Sequence, residues 1–234
     1  MNSLKQALVT GASSGIGKAI TSTLLDMGFF VIGVSRKVDA DMFKHPNFEA
    51  LQCDLSSQKE VLTLCDKLKK KQMHILVNCA GFGRFAPHEE LSQKDILDMT
   101  FLNLTSAMLL TNTLLRSLKA NDGYIININS IEALRASKFA GVYSASKAGL
   151  KAFGDALFLE TRKSNLSVTN INPDMTQSAF YDELRFDVSD KEDEKLLASD
   201  IADALKHILS MRKGAVVSEY TIRSLKFGIK KKKD

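Results

Sequence analysis

The chain has 234 residues, 44% apolar and 25% charged, an ordinary globular mixture able to bury a full core. No stretch of 18 apolar residues occurs and Met1-Asn2-Ser3-Leu4-Lys5-Gln6 leads straight into a strand-like run, so neither a membrane span nor a signal peptide is expected. The net charge of +5 is concentrated in Lys230, Lys231, Lys232 and Lys233, which argues against a basic nucleic-acid face and makes residues 230–234 an expected solvated, frayed basic tail.

Val-, Ile- and Leu-rich segments alternate with amphipathic ones, the pattern of βαβ units feeding a parallel sheet. Residues 7–10 are predicted as the first strand and 15–27 as the first helix. Strands follow at 29–35, closed by Arg36, and at 48–53. A serine-capped helix is expected at 56–71 and a fourth strand at 74–79. Ser92 caps a long amphipathic helix running to about residue 118, with Asp95 in its first turn. A fifth strand at 124–129 leads to a second long helix at 142–162 and a sixth strand at 167–171. Residues 173–197 read as irregular and charged, and a helix at 200–211 precedes a last strand at 215–222. No linker or repeat interrupts the series. The prediction is one α/β domain over residues 1–229, a Rossmann-type doubly wound parallel sheet of about seven strands with helices on both faces.

Between the first strand and the first helix lies Thr10-Gly11-Ala12-Ser13-Ser14-Gly15-Ile16-Gly17. Glycines there permit a tight turn and let backbone N–H groups approach a pyrophosphate on the positive end of the helix. The spacing is G-x-x-x-G-x-G, not G-x-G-x-x-G, yet its place between strand and helix predicts a dinucleotide site. An acidic residue ending the second strand would accept from an adenosine 2′-hydroxyl and repel a 2′-phosphate. Ser35 and Arg36 stand there instead. A guanidinium pairs with phosphate through charge-assisted, bidentate bonds, so NADP(H) is expected over NAD(H).

Tyr143-Ser144-Ala145-Ser146-Lys147 opens the second long helix. Tyrosine and lysine four apart share one helical face, so the ammonium can lie near the phenol and lower its pKa from about 10. A phenol so tuned exchanges a proton with a carbonyl or alcohol oxygen. Three cysteines, Cys53, Cys65 and Cys79, and four scattered histidines show no ligand spacing. No metal site is expected, and a reduced, cytoplasmic setting is.

These motifs together resemble the short-chain dehydrogenase/reductase family, in its compact one-domain branch, over nearly the whole chain. The matched features are the Thr10 to Gly17 loop, Asp54, Asn78-Cys79-Ala80-Gly81, Asn103, Ser130, Tyr143, Lys147 and Pro173, in the family's order. The resemblance implies that Tyr143 donates the proton during carbonyl reduction, and that Lys147 binds the nicotinamide ribose and depresses the Tyr143 pKa. Ser130 would bond the substrate oxygen and Asn103 would hold a relay water behind Lys147. Asp54 and Leu55 would flank the adenine, and Asn78, Ala80 and Gly81 would line the cofactor. The segment from Pro173 through Thr176 would hold the carboxamide. Two departures stand out: Cys79 where the family often has a second asparagine, and Asp174 where it often has glycine.

In this family the segment after the sixth strand covers the substrate, here residues 174–197. Phe180, Tyr181, Leu184 and Phe186 can supply an apolar wall, with the Phe82 and Phe85 loop closing the other side. Met108, Leu109, Phe153, Leu157 and Phe158 lie beyond one stripe on the two long helices, which suggests a homodimer or homotetramer packed through them. The expected activity is hydride transfer between NADP(H) and a carbonyl or secondary alcohol, with 3-oxoacyl thioesters, ring ketones and small carbonyls all open as substrates. The alternative is a non-catalytic NADP(H)-binding regulator, against which the complete Ser130, Tyr143 and Lys147 set speaks.

Overall fold

The computed structural model describes residues 4–212 and 214–232. In chain order the strands are β1 (Gln6–Thr10), β2 (Phe30–Ser35), β3 (Phe48–Gln52), β4 (Ile75–Asn78), β5 (Tyr124–Ile128), β6 (Ser167–Pro173), β7 (Phe186–Val188), β8 (Glu219–Ile222) and β9 (Ile229–Lys231). The helices are α1 (Gly15–Asp26), α2 (Gln58–Leu68), α3 (Gln93–Thr100), α4 (Ser106–Ala120), α5 (Gly141–Thr161) and α6 (Ala198–Ser210). Seven strands form one parallel sheet in the order β3-β2-β1-β4-β5-β6-β8. The order reverses between β1 and β4, so a crevice opens beyond their C-terminal ends, at Thr10 and Asn78.

Because side chains alternate along a strand, each strand feeds both faces. Leu8, Ile32, Leu76, Ile125 and Val168 pack with Leu64 of α2, Leu110 and Leu114 of α4, and Leu157 of α5. Ala7, Val9, Val31, Val77 and Ile126 pack on the other face with Ile20 and Leu24 of α1 and Ile201 and Leu205 of α6. Burying one such Leu or Ile stabilises by about 1.5–3 kcal/mol, against roughly 0–1 for an exposed ion pair. The two apolar layers, not the surface charges, therefore hold the frame that carries the site.

Three expectations need correction. The helix predicted from Ser92 to about residue 118 runs unbroken but is not α-helical throughout. Ser92 does cap α3, its hydroxyl accepting from the Asp95 N–H, but Phe101–Thr105 form a π-turn before α4 begins. One inserted residue leaves the apolar stripe nearly in phase, so periodicity does not reveal it. Residues 173–197 are not wholly irregular, since they contain β7. The tail is not frayed over its described part either. β9 pairs antiparallel with β7, matching Phe186 with Lys231, Asp187 with Lys230 and Val188 with Ile229. Lys230 stays exposed beside Asp190 of the covering segment, at 2.7 Å. Lys233 lies outside the described residues.

The apolar surplus on the long helices is largely absorbed within the chain. Leu157 is buried, and Leu109, Phe153 and Phe158 pack against the same cluster. Among the described residues, no helix is long and apolar enough to cross a membrane.

Candidate active site

The β1–α1 turn is shaped by backbone conformations that favour glycine. Gly11 has φ +72° and Gly15 φ +50°. A Cβ on Gly17 would lie 2.2 Å from the Gly11 carbonyl oxygen, so α1 starts pressed against the turn with no room for a methyl. Ser14 stands at the N-cap without a side-chain cap bond, which leaves the first N–H groups of α1 to a ligand or solvent. Ser13 is half-buried, and Ile16 anchors the helix start in the core. A neighbouring wall is fixed by Thr10, whose hydroxyl accepts from the Cys79 N–H at 2.9 Å and the Ala80 N–H at 3.0 Å. This narrow cradle, which one methyl would close, with unspent amides at a helix start, fits a pyrophosphate.

The residues expected around the adenosine end sit at the edge of the same crevice. Arg36 is exposed at the end of β2, and the Ser35 hydroxyl accepts from the Lys37 N–H at 3.3 Å. Partial burial opposes ionisation of Asp54, but bonds from the Ser56 N–H and hydroxyl, with the Arg36 charge nearby, hold its carboxyl below the usual range. Leu55 is 3% exposed and spends its side chain in the core, so only its backbone faces the crevice side. Asn78 donates to Asn127 at 2.9 Å, Asn127 donates to Asn170 at 3.2 Å, and Asn170 donates to Asp155 at 2.8 Å. This buried amide row ties β4, β5 and β6 to α5. Pro173 ends β6, and the buried Thr176 hydroxyl donates to the Asp174 carbonyl at 2.9 Å. The Asp174 carboxylate turns back to the Met175 N–H at 2.8 Å, closing the turn a glycine would otherwise make.

Tyr143 and Lys147 lie in the first turns of α5, both buried. The Ser130 hydroxyl, two residues past β5, accepts from the Glu132 N–H at 3.1 Å and lies beside the phenol, where it favours ionisation. The Lys147 Nζ donates to the Ile128 carbonyl at 2.9 Å and sits 6.0 Å from the Tyr143 ring centre. Gly81 makes this approach possible, because a Cβ there would meet Lys147 Nζ at 3.3 Å and Asn103 Oδ1 at 3.1 Å. The Asn103 side chain makes three hydrogen bonds. It donates to the Phe82 carbonyl and to Ser146 Oγ, and accepts from the Phe82 N–H, each at 3.0 Å. Its amide therefore fixes the loop beneath Lys147.

The expected acidification of the phenol by Lys147 has to work against burial in this pocket. Burial pushes the Tyr143 phenol well above its ordinary value; the Ser130 hydroxyl opposes this and the Glu132 charge adds to it. Burial also brings the Lys147 ammonium down to about 8. One ammonium proton is directed at the Ile128 carbonyl, which orients the lysine while its charge stays beside the phenol.

Glu132 escapes sequence reasoning altogether. Its carboxylate accepts from Ser144 Oγ at 2.8 Å, Ser137 Oγ at 2.6 Å and the Ser137 N–H at 2.9 Å, locking the Ser130 turn to the start of α5. The one signal in the sequence is its position two residues after Ser130. Above the phenol lies an aromatic cover. Phe85 and Phe180 stand 5.3 and 5.7 Å from the Tyr143 ring, and Phe186 stands 5.3 Å from Phe85. Arg84 clasps the two sides together through Glu183 at 2.7 Å.

Comparison with known proteins agrees with this geometry. An oxidoreductase of Staphylococcus saprophyticus is 32% identical over 232 residues, spanning 94% of this chain and 97% of its own. A farnesol dehydrogenase of Aedes aegypti is 29% identical, over 94% of this chain and 95% of its own. An alcohol dehydrogenase from Thermococcus sibiricus, solved with 5-hydroxy-NADP, superposes with a TM-score of 0.85 at 25% identity, over 95% of this chain and 97% of its own. The family profile described as short chain dehydrogenase matches residues 5–189, and the chain, an oxidoreductase built on that family's fold, belongs to it.

Proposed function

We propose that this chain is an NADP(H)-dependent reductase of apolar ketones or aldehydes. The carrying observation is the convergence of the Tyr143 phenol, the Ser130 hydroxyl and the Lys147 ammonium beside the glycine cradle, under an aromatic cover. Gly11, Ser13, Ser14, Gly15, Ile16 and Gly17 would hold the pyrophosphate, and Ser35 with Arg36 the 2′-phosphate. Asp54 and Leu55 would flank the adenine, Asn78, Ala80 and Gly81 the middle of the nucleotide, and Pro173 with Thr176 the carboxamide. The bound nucleotide supplies or accepts hydride.

The chain's own groups manage the oxygen and its proton. Ser130 and Tyr143 donate hydrogen bonds toward the substrate oxygen, where negative charge grows during reduction. Tyr143 then delivers its proton, and Lys147, next to it on the same helical face, offsets the phenolate left behind. Glu132 keeps the serine turn and the tyrosine helix in register. Phe85, Phe180 and Phe186 exclude water and select an apolar substituent on the carbonyl carbon. A homo-oligomer and a cytoplasmic setting accompany this reading, and the farnesol activity of the mosquito relative fits an apolar site.

Purified protein with NADPH or NADH, acetophenone or pyruvate, followed at the nicotinamide absorbance, tests it. NADPH and acetophenone should be preferred. Tyr143→Phe should lower turnover by about 10²–10⁴-fold while NADPH affinity stays nearly unchanged. Undiminished turnover in that variant refutes the assignment.

A further inference from the structure

The covering segment contains a strand of only three residues, β7, which cannot persist without a partner. Its partner is the C-terminal strand β9. The ladder continues one step further, the Lys232 N–H donating to the Arg185 carbonyl at 3.0 Å. The Lys232 Nζ then donates to the carbonyls of Tyr181 at 2.5 Å and Asp182 at 3.0 Å, around the short 3-10 turn Ala179–Tyr181. Upstream, the Lys226 N–H donates to the Asp193 carbonyl at 2.7 Å. Gly228 passes so close that a Cβ there would meet Glu194 Oε2 at 2.1 Å. The inward side of the same strand carries Phe186, which packs on Phe85, and Phe85 packs on Tyr143. Lys232 and Tyr143 are thus linked through one run of backbone bonds and stacked rings.

We propose that residues 226–232 are a working part of the substrate site, a strap that positions β7 and so holds the aromatic wall over Tyr143. The exposed pairs Lys230–Asp190 and Lys226–Asp193 add little at physiological salt. The main-chain ladder and the Lys232 ammonium bound by two carbonyls carry the attachment. Lys232 is then a positioning residue, acting on substrate through Tyr181 and Phe186. The kinetic consequence rests on the reductase reading; the structural one does not.

The test compares the full chain with a chain ending at Phe227 and with Gly228→Val, which keeps the length but collides with Glu194. Hydrogen exchange is followed at amides 181–196, with the β1 amides of Leu8 and Val9 as an internal control. In both variants the covering-segment amides should exchange at least about tenfold faster while the β1 amides do not change. The KM for acetophenone should rise about fivefold, with NADPH affinity within about twofold. Should the truncation loosen β1 as well, the Gly228→Val comparison alone decides. Unchanged exchange at 181–196 overturns the strap. Faster exchange with unchanged KM overturns its role in substrate binding. An intact chain that reduces no carbonyl with either nucleotide defeats the reductase reading, while exchange still decides the strap.

Discussion

The β1–α1 turn and the covering segment after β6 face each other across one site, Gly15 so near Ser178 that a Cβ on the glycine would lie 2.8 Å from the serine Cβ. They are held by different forces. The turn is determined by backbone: positive φ at Gly11 and Gly15, a carbonyl against Gly17, and the Thr10 hydroxyl pinning the next strand end. The cover is determined by side chains that meet from distant parts of the chain: Phe85, Phe180 and Phe186, the Arg84–Glu183 pair, and β9. Each of these contacts is individually modest, so the cover can open at a cost the turn could not meet. A rigid floor and a movable roof suit a protein that must grip one invariant ligand while admitting another.

Substitutions on the two sides should therefore differ in kind as well as size. The largest effect is expected from Gly17→Ala. Its methyl has no space beside the Gly11 carbonyl, so NADPH affinity should fall by more than about a hundredfold and stability by about 1–3 kcal/mol, measured by titration calorimetry and urea unfolding. Wild-type affinity in that variant would show that the floor is not rigid.

Next in size is the pH response of the groups between floor and roof. With Lys147 at about 8 and Tyr143 well above its ordinary value, Lys147 is the first of the two to lose its proton as pH rises. The proposed reduction consumes a proton and would need that ammonium beside the phenolate. Ketone reduction should therefore hold level below pH 8 and fall by up to about tenfold per unit above it, while alcohol oxidation does not fall in parallel. A profile flat from pH 7 to about 10 would remove Lys147 from the proton path.

Arg36→Asp places a carboxylate where the 2′-phosphate is proposed to lie, and the NADPH-to-NADH preference should fall by at least about tenfold. Steady-state kinetics with both nucleotides reads this directly, and an unaltered preference would detach Arg36 from the cofactor. The smallest change belongs to the roof. Arg84→Ala removes two exposed ion pairs, to Glu183 and Asp95, so the KM for acetophenone should rise only about two- to threefold with nucleotide affinity untouched. A collapse of nucleotide binding in that variant would mean that floor and roof are one cooperative unit.

Much of the floor was legible because its determinants are local. The Thr10 to Gly17 turn needs particular residue types at consecutive positions, and α5 brings Tyr143 and Lys147 onto one face by helical spacing alone. The π-turn at Phe101–Thr105 was hidden because one added residue scarcely disturbs an apolar stripe. Glu132 was hidden because its partners, Ser137 and Ser144, are hydroxyls with no pattern of their own. The pairing of the tail was missed because a run of lysines carries no strand signal, and its partners, Asp187 and the Tyr181 carbonyl, lie some forty or more positions earlier in the chain.

By itself the sequence determined the order of strands and helices, the two-faced parallel sheet, the glycine turn and the tyrosine–lysine spacing, since each follows from residue type and short-range periodicity. Only the tertiary structure decided that burial works against acidifying the phenol, that Asn103 braces a loop, and that β9 pairs with β7 in the covering segment. Those outcomes depend on desolvation and on long-range pairing, and both arise only when distant segments exclude water from one another.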